Sequence, residues 1–310
     1  MIHTDIQLTG GGYIADISSD KGGICYRLIH TPTGADILRT PQNEAHLAEN
    51  VYLFGNPPLF PPNRIVGGRF TFEDREYILP LNEPDTGCHI HGALWKMPFS
   101  VECLTAASVR LVYRAKEGEY IGFPHAFTFI REYTLDENGL TEADTVIKES
   151  DCNMPFLRAY HTTFNLPFLK GSASKSIRIQ LNTGREEMRT EKFIPTGEFR
   201  APGDREHSFQ NGEYIPCGTH LSAFYEASGE AVLTDVDHGI SIVYDADPIF
   251  SYRMLFQTAE GSFFVCEPQT AAIDCFHLDR PATEYGLIVL SPNEEKTLQT
   301  RIFVRSTPPS

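Results

Sequence analysis

Apolar and polar residues alternate with a period of two in segment after segment of this chain. In "SIRIQLNT" (176–183), Ile177, Ile179 and Leu181 are separated by polar residues. Because successive side chains of a β-strand point to opposite faces, this alternation predicts strands with one buried face. Similar runs are "SVRLVYRA" (108–115), "GISIVYDA" (239–246) and "LQTRIFVR" (298–305). The chain is therefore expected to be rich in short strands.

Turn signals separate these segments, among them "ENG" (137–139), "ASGE" (227–230) and "DPIF" (247–250). The continuous apolar run "YGLIVL" (285–290) predicts a central strand covered on both faces. One stretch, "NEAHLAENVYL" (43–53), is typical of a short helix. This pattern indicates an all-β, antiparallel sandwich or barrel rather than βαβ units. Because Gly and Pro do not concentrate in one linker, we predict a single domain over residues 1–310.

The charge balance limits the classes of partner. The chain has 41 acidic and 26 basic residues and a formal net charge of -15. Nucleic acids and anionic membranes attract clustered Lys and Arg, so neither is expected as a partner. A highly charged anionic substrate would be repelled as well. A neutral small molecule fits this charge best.

Several features predict a cytoplasmic protein. The first residues, "MIHTDIQLTGGGYIADI", do not combine a basic region with a following apolar region, and no 18 apolar residues run together. The seven cysteines are odd in number and include no C-x-x-C pair, which is typical of reduced thiols. The chain also carries no G-x-G-x-x-G after a strand, no phosphate-binding loop motif, no H-E-x-x-H and no G-x-S-x-G.

The candidate site residues are each ambiguous when taken alone. In "CHIHGALW", His89 and His91 would share a face if the segment is extended, as in a metal site, but no third ligand is legible nearby. His161, in "MPFLRAYHTTFNLPF", lies among aromatic residues and could be a core histidine. Arg64, in "PPNRIVGGRFTF", could be a solvated loop residue. Glu267, in "FFVCEPQT", ends an apolar run and could instead face water on an edge strand.

Taken together, the motifs resemble those of the aldose 1-epimerase (galactose mutarotase) family. "NRIVGGRFTFEDREYILPLN" followed by "HIHG" resembles the N-terminal signature of this family. "YHTTFNL" is similar to its N-H-x-x-F-N-L segment, and "FVCEPQT" to its V-x-E-P-x-T segment. The order and approximate spacing also agree, from about residue 50 to residue 275, and "PPLFPPNRI" resembles bacterial members.

The resemblance implies a large antiparallel β-sandwich of the galactose mutarotase type, with a few short helices and an open sugar groove. It implies no metal and no cofactor. Glu267 corresponds to the general base of the family and His161 to its general acid, whereas Arg64 and His91 correspond to residues that contact sugar oxygens. Reference pKa values of about 4.3 and 6.5 predict an ionised Glu267 and a His161 that needs a nearby negative charge to stay protonated.

The sequence also departs from the family pattern. Ala93 replaces the second glycine of L-H-G-G, and Tyr160 replaces the asparagine before the acid histidine. Gln257 is the nearest candidate for a substrate-binding glutamine, displaced by a few positions. Asp235 and Asp237 are candidates for a sugar-binding aspartate that has no direct match.

The expected function is interconversion of the α and β anomers of a free aldohexose by a monomer or homodimer. Removing a proton from the anomeric hydroxyl while protonating the ring oxygen requires a base and an acid, as this pair would provide. The alternatives are a hexose-6-phosphate 1-epimerase, which would need clustered Arg or Lys at the groove, and a non-catalytic carbohydrate-binding protein on the same fold.

Overall fold

The computed structural model describes residues 3–306, and strands dominate this part of the chain. Its strands, in chain order, are β1 (Ile6–Gly10), β2 (Tyr13–Ser18), β3 (Ile24–His30), β4 (Ala35–Asp36), β5 (Pro58–Leu59), β6 (Arg64–Val66), β7 (Arg69–Phe72), β8 (Arg75–Ile78), β9 (Cys88–Ile90), β10 (Ser100–Leu104), β11 (Ser108–Ala115), β12 (Phe127–Asp136), β13 (Gly139–Lys148), β14 (Met154–Phe156), β15 (Ala159–Tyr160), β16 (Thr162–Asn165), β17 (Ile177–Arg189), β18 (Pro195–Arg200), β19 (Leu221–Asp235), β20 (Ile240–Ala246), β21 (Tyr252–Gln257), β22 (Phe263–Gln269), β23 (Ile288–Leu290) and β24 (Glu295–Ser306).

Helical segments are few and short. The two α-helices are α1 (Glu44–Glu49) and α2 (Asp204–Gln210), and single 3-10 turns lie at Leu94–Lys96, Ser174–Ser176, Cys275–His277 and Ala282–Tyr285. Helix α1 begins after Asn43, whose side chain accepts a hydrogen bond from the His46 amide. Within residues 3–306, none of the helices is long and apolar enough to cross a membrane.

One antiparallel sheet of 14 strands organises the molecule. Its main path runs β10-β11-β12-β13-β24-β20-β19-β21-β22-β15-β5, while β16 pairs with β22, β17 with β19 and β18 with β17. A second sheet, β1-β2-β3-β4, contributes apolar side chains to the same large core as the main sheet. Layers of sheet around a shared core are the arrangement expected of a β-sandwich, so the predicted all-β architecture is confirmed.

The predicted strands largely agree with the structure. The alternating residues of 177–182 lie in β17 with a strictly alternating burial pattern, and 108–115, 240–246 and 298–305 lie in β11, β20 and β24. The "ENG" signal marks the β12–β13 hairpin, and "DPIF" follows β20. The predicted helix within 43–53 is α1, which ends earlier, at Glu49.

Two local predictions are wrong. The run 285–290 is not a central strand, because Tyr285 ends a 3-10 turn and only Ile288–Leu290 forms a strand, in a two-stranded ribbon with β14. "ASGE" (227–230) is not a turn between strands, because β19 continues through it. The pairing register of β17 with β19 shifts between Leu181 and Asn182, opposite this segment, so the turn-like residues accommodate an irregular strand pairing.

Four buried charges form a network within the core. Asp144 accepts hydrogen bonds from Arg131 and Arg158, and Glu142 accepts one from Arg131. The side chains of both arginines are fully buried, and the two carboxylates are nearly so. Arg158 also donates to the carbonyls of Leu59 and Ala159, which ties the network to β5 and β15. Loss of any single one of the four residues leaves the buried charges unbalanced.

We predict that Asp144→Asn strongly destabilises the protein. The amide retains the shape of the carboxylate but leaves two buried guanidinium groups short of negative charge, which typically costs about 3–5 kcal/mol. The measurement is urea unfolding followed by fluorescence. Glu102→Gln is the control, because Glu102 forms exposed ion pairs with Arg110 and Arg114 and its loss should leave the midpoint near that of the wild type. Equal midpoints for both variants would contradict a structural role of the network.

Candidate active site

Glu267 lies inside the large sheet rather than at its edge. Strand β22 pairs with β21 on one side, where Glu267 is opposite Met254, and with β15 and β16 on the other. The residue is 1% exposed, which excludes the alternative of a water-facing residue on an edge strand. The strand also continues through Pro268 to Gln269, beyond the carboxylate. Because a residue before proline is restricted to extended conformations, Pro268 helps to fix the backbone of Glu267.

Strand register brings His161 to Glu267. The ladder of β15 pairs Ala159 with Gln269, and that of β16 pairs Thr162 with Cys266. The register shared by both ladders places His161 opposite Glu267, and opposed residues of an antiparallel pair point to the same face. Both residues line the same groove, although more than 100 positions separate them along the chain.

Arg64 and His91 reach the groove from a second element, the two-stranded ribbon of β6 and β9. Arg64 begins β6, and His91 directly follows β9. His91 has a φ of 63°, so the extended backbone ends there. Gly92 follows with a φ of 61°, and a Cβ at this position would lie 1.8 Å from the carbonyl oxygen of Phe60. Position 92, directly after His91, therefore requires glycine.

Left-handed backbone conformations are concentrated in the groove. Asn63, His91 and Phe193 have φ values of 52°, 63° and 61°, and all three line it. Non-glycine residues rarely adopt such conformations, and a large aromatic side chain makes the conformation of Phe193 especially unusual. Strain of this kind persists where the surrounding structure enforces it and occurs preferentially at functional sites.

The groove is large enough for a sugar and has walls of mixed character. Its volume is about 540 Å³. The apolar lining includes Val51, Leu53, Phe193, Met254 and Phe256. The polar lining includes Asn63, Arg64, Glu83, His91, His161 and Glu267. Pockets of this size with a few convergent polar groups are typical of small-molecule sites.

Tyr52 is a groove residue that no sequence motif indicated. It lies between α1 and β5, and its ring centroid is 4.6 Å from that of His91 and 6.0 Å from that of His161. Trp95 contacts the same ring in an edge-on arrangement at 5.3 Å. Tyr52 therefore packs over both histidines from a segment remote in sequence. Burial raises its pKa to about 12, so it is a neutral hydroxyl at physiological pH.

Burial reverses the protonation states expected for the acid–base pair. It raises the pKa of Glu267 to about 8, against the opposing positive charge of Arg64. It lowers the pKa of His161 to about 4. At neutral pH the groove therefore contains an uncharged carboxylic acid and an uncharged imidazole. The expectation of an ionised Glu267 is therefore wrong. His161, which was expected to need a nearby negative charge to stay protonated, is neutral, because removing either group from water disfavours its charged form.

The side chains of Glu267 and His161 each have a buried polar atom that is available to a ligand. Glu267 Oε1 and His161 Nδ1 are buried without a hydrogen-bond partner in the protein. One of the two ring nitrogens of His91 already has a hydrogen-bond partner, since the amide of Asn63 donates to its Nδ1. That bond leaves the proton of the neutral imidazole on Nε2. Burial lowers the pKa of His91 well below its usual value, so it can act as a neutral donor.

The structure does not bring the other sequence candidates into the groove. Gln257 points away from it, because Met254 and Phe256 of the same strand line the groove and alternate residues face opposite sides. Its amide instead donates to the carbonyl of Thr219. His89 is 1% exposed, hydrogen-bonds the carbonyl of Pro80 and does not line the groove.

Asp235 and Asp237 are also outside the groove. Both take part in the turn after β19, where Asp235 accepts hydrogen bonds from the amides of Asp237 and His238. Within residues 3–306, the one group of His, Cys, Asp or Glu with converging ligand atoms is His3, Asp5 and Asp20, which is exposed and does not line the groove either.

The two departures at motif positions have local explanations. Ala93 has a φ of −132°, which any residue adopts, so no glycine is needed there. Tyr160 points to the face opposite His161, where its ring stacks 4.1 Å from the guanidinium of the buried Arg158. Neither replacement changes the groove surface.

Comparison with known proteins provides evidence on the family of this chain that does not depend on the geometry of the groove. The model of a family described as aldose 1-epimerase matches residues 5–302. The chain is 26% identical over 310 residues to a protein of Escherichia coli K12 named uncharacterized protein YphB, covering 97% of this chain and 99% of that protein.

Solved structures share the fold over nearly the whole length. A galactose mutarotase-like protein from Clostridium acetobutylicum is 27% identical with a TM-score of 0.91, covering 97% of this chain and 95% of that chain. A galactose 1-epimerase from Lactobacillus acidophilus NCFM has a TM-score of 0.67 at 15% identity, covering 96% of this chain and 92% of that chain. The second likeness shows the fold alone. Together with the sheet topology, these structures confirm the predicted mutarotase-like sandwich.

We predict that Glu267→Gln changes how stability depends on pH. In the wild type, Glu267 ionises near pH 4.5 when unfolded and near pH 8 when folded, so unfolding releases a proton between these values. Stability therefore falls as pH rises through this window, by up to about 1.4 kcal/mol per pH unit, and the variant lacks this loss. Denaturant unfolding of both proteins from pH 4 to 9 measures the difference. Parallel curves would contradict the buried, protonated state of Glu267.

Proposed function

The chain belongs to the aldose 1-epimerase family, and from that premise we propose that it interconverts the α and β anomers of a free aldohexose. The observation that carries the proposal is the opposition of Glu267 and His161 across neighbouring strands of one groove. Each also presents a buried atom without a partner in the protein. A base and an acid on one sugar ring are the groups that hemiacetal opening requires.

In the proposed reaction, the carboxylate of Glu267 takes the proton of the anomeric hydroxyl while the protonated imidazole of His161 gives a proton to the ring oxygen. The bond between C1 and the ring oxygen breaks, and an open-chain aldehyde forms. Rotation about the C1–C2 bond presents the other face of the aldehyde to the hydroxyl group that formed from the ring oxygen. Reclosure transfers both protons back, so the enzyme returns to its starting state with the opposite anomer bound.

The uncharged pair fits this scheme. A protonated Glu267 with a neutral His161 has the same number of protons as a carboxylate with an imidazolium. Moving one proton between the side chains, directly or through a bound sugar, produces the proposed reactive form. Because one residue acts as base and the other as acid, the protonation of both residues sets the pH dependence.

Arg64 and the neutral His91 are proposed to bind sugar oxygens, since both line the groove and carry N–H donors. Gln257 is not part of the proposal because it faces away. A phosphorylated substrate is less well supported, because Arg64 is the single Lys or Arg among the described lining residues and is already paired with Glu83. A dianion would find no free cluster of cations there.

We predict that Glu267→Gln and His161→Gln each lower kcat for anomer exchange by roughly 10²–10⁴-fold, because each removes one proton-transfer group. Two-dimensional NMR exchange or polarimetry with glucose, galactose and a 6-phosphosugar measures the rates. Glu102→Gln and His207→Gln, at exposed positions outside the groove, are matched controls that should keep wild-type rates. Full activity of either groove variant would contradict the assigned roles. Sugar binding without exchange by the wild type would instead indicate a non-catalytic binding protein.

A second prediction concerns pH. Between about pH 4 and pH 8 the pair holds a constant number of protons, so kcat/KM should be flat across this range. Below this pH range the pair gains a proton, so no base remains. Above this range the pair loses a proton, so no acid remains. Rates are measured by NMR exchange after subtraction of the enzyme-free rate at each pH. An enzymatic rate that keeps rising well above pH 8 would show that a different group carries the proton.

A further inference from the structure

Arg64 is held on the groove wall by a carboxylate that no motif indicated. Its Nε and one terminal nitrogen each donate to an oxygen of Glu83, both at 2.6 Å. The two side chains are 13% and 24% exposed, so the pair is largely shielded from water. Paired, parallel hydrogen bonds of this type fix the plane of the guanidinium as well as its position.

Hydrogen bonds from neighbouring residues hold the carboxylate of Glu83 in place. The hydroxyl of Thr86 donates to Glu83 Oε2. The preceding residue, Asn82, exchanges two hydrogen bonds with the backbone of Ile90, at 2.7 and 2.9 Å. The segment 82–83 is therefore fastened to β9, immediately before His91. Although burial opposes it, the hydrogen bonds from Arg64 and Thr86 keep the pKa of Glu83 below its usual range, so this carboxylate is charged.

The guanidinium of Arg64 also contacts an aromatic ring. The guanidinium carbon lies 5.0 Å from the centroid of Phe193, the groove residue with the left-handed backbone. Glu83 and Phe193 together leave the remaining N–H groups of Arg64 as the donors available to a ligand. The Arg64–Glu83 ion pair therefore brings two opposite charges to the groove wall, beside Glu267 and two histidines that burial keeps uncharged near neutral pH. Glu49 also lines the groove, and the positive charge of Arg189 also acts on Glu267.

We propose that Glu83 is a positioning and specificity-determining residue, which orients Arg64 toward sugar hydroxyls and selects uncharged aldoses over those carrying a carboxylate. The substrate class rests on the function proposed above. A ligand carboxylate near Arg64 would have to displace Glu83 or lie beside it, and either alternative is unfavourable. A neutral hydroxyl can instead accept from the free N–H groups while the ion pair stays intact.

The test compares binding of methyl glucoside and methyl glucuronide by NMR titration. Neither glycoside can open its ring, so the ratio of the two dissociation constants reports selectivity without turnover. The wild type should bind the glucuronide more weakly. Glu83→Gln, which keeps the shape of the side chain but removes its charge, should shift the ratio toward the glucuronide by at least about tenfold. Glu83→Asp retains the charge but shortens the reach, so it should weaken binding of both ligands and keep the wild-type preference.

Glu102→Gln is the matched control, because it also removes one carboxylate from an arginine ion pair, at a position on strand β10 that does not line the groove. It should leave the ratio unchanged. The proposal would be overturned if the wild type bound the glucuronide as tightly as the glucoside, or if Glu83→Gln folded and kept the wild-type ratio. Absence of anomer exchange in the wild type, by contrast, would contradict the proposed function and leave this binding test valid.

Discussion

The arrangement of the groove depends on strand β22 being paired on both sides. Its neighbours β21 and β15–β16 fix Glu267 between Met254 and His161 in a single register. A shift of one residue would turn every side chain of the strand to the other face, taking Glu267 out of the groove and into the core. The acid–base pair is thus a property of the sheet, and the ribbon of β6 and β9 then needs to add only Arg64 and His91.

The sequence alone was sufficient to predict the fold class. The family motifs in it also identified residues that line the groove. Period-two alternation identified β17 and β24 because each has one buried face. The continuous apolar run at 285–290 was misleading, because its apolar composition reflects packing of a turn and a short ribbon rather than a central strand. Gln257 was misplaced for a related reason. Its residue type suited the site. However, the pairing of β21 with β19 and β22 determines which side chains of β21 point into the groove, and a local sequence pattern does not contain this information.

Other groove residues could not be found from the sequence because their roles arise from tertiary contacts. Tyr52 and Phe193 come from connections between elements, and Glu83 is recognisable only once Arg64 is seen beside it. Protonation states are equally non-local, since reference values predicted charged groups and burial makes them neutral. The same burial that disfavours those charges would strengthen each hydrogen bond made to a sugar.

The buried network of Arg131, Glu142, Asp144 and Arg158 has a consequence for how this protein can diverge. A single replacement leaves a net charge stranded in the core, whereas simultaneous replacement of opposite charges by apolar residues can preserve stability. Evolution by single steps is therefore blocked at these four positions unless an intermediate is rescued elsewhere. Among descendants of this chain, the four residues should be inherited as a set or lost in matched pairs, while the exposed charges drift independently.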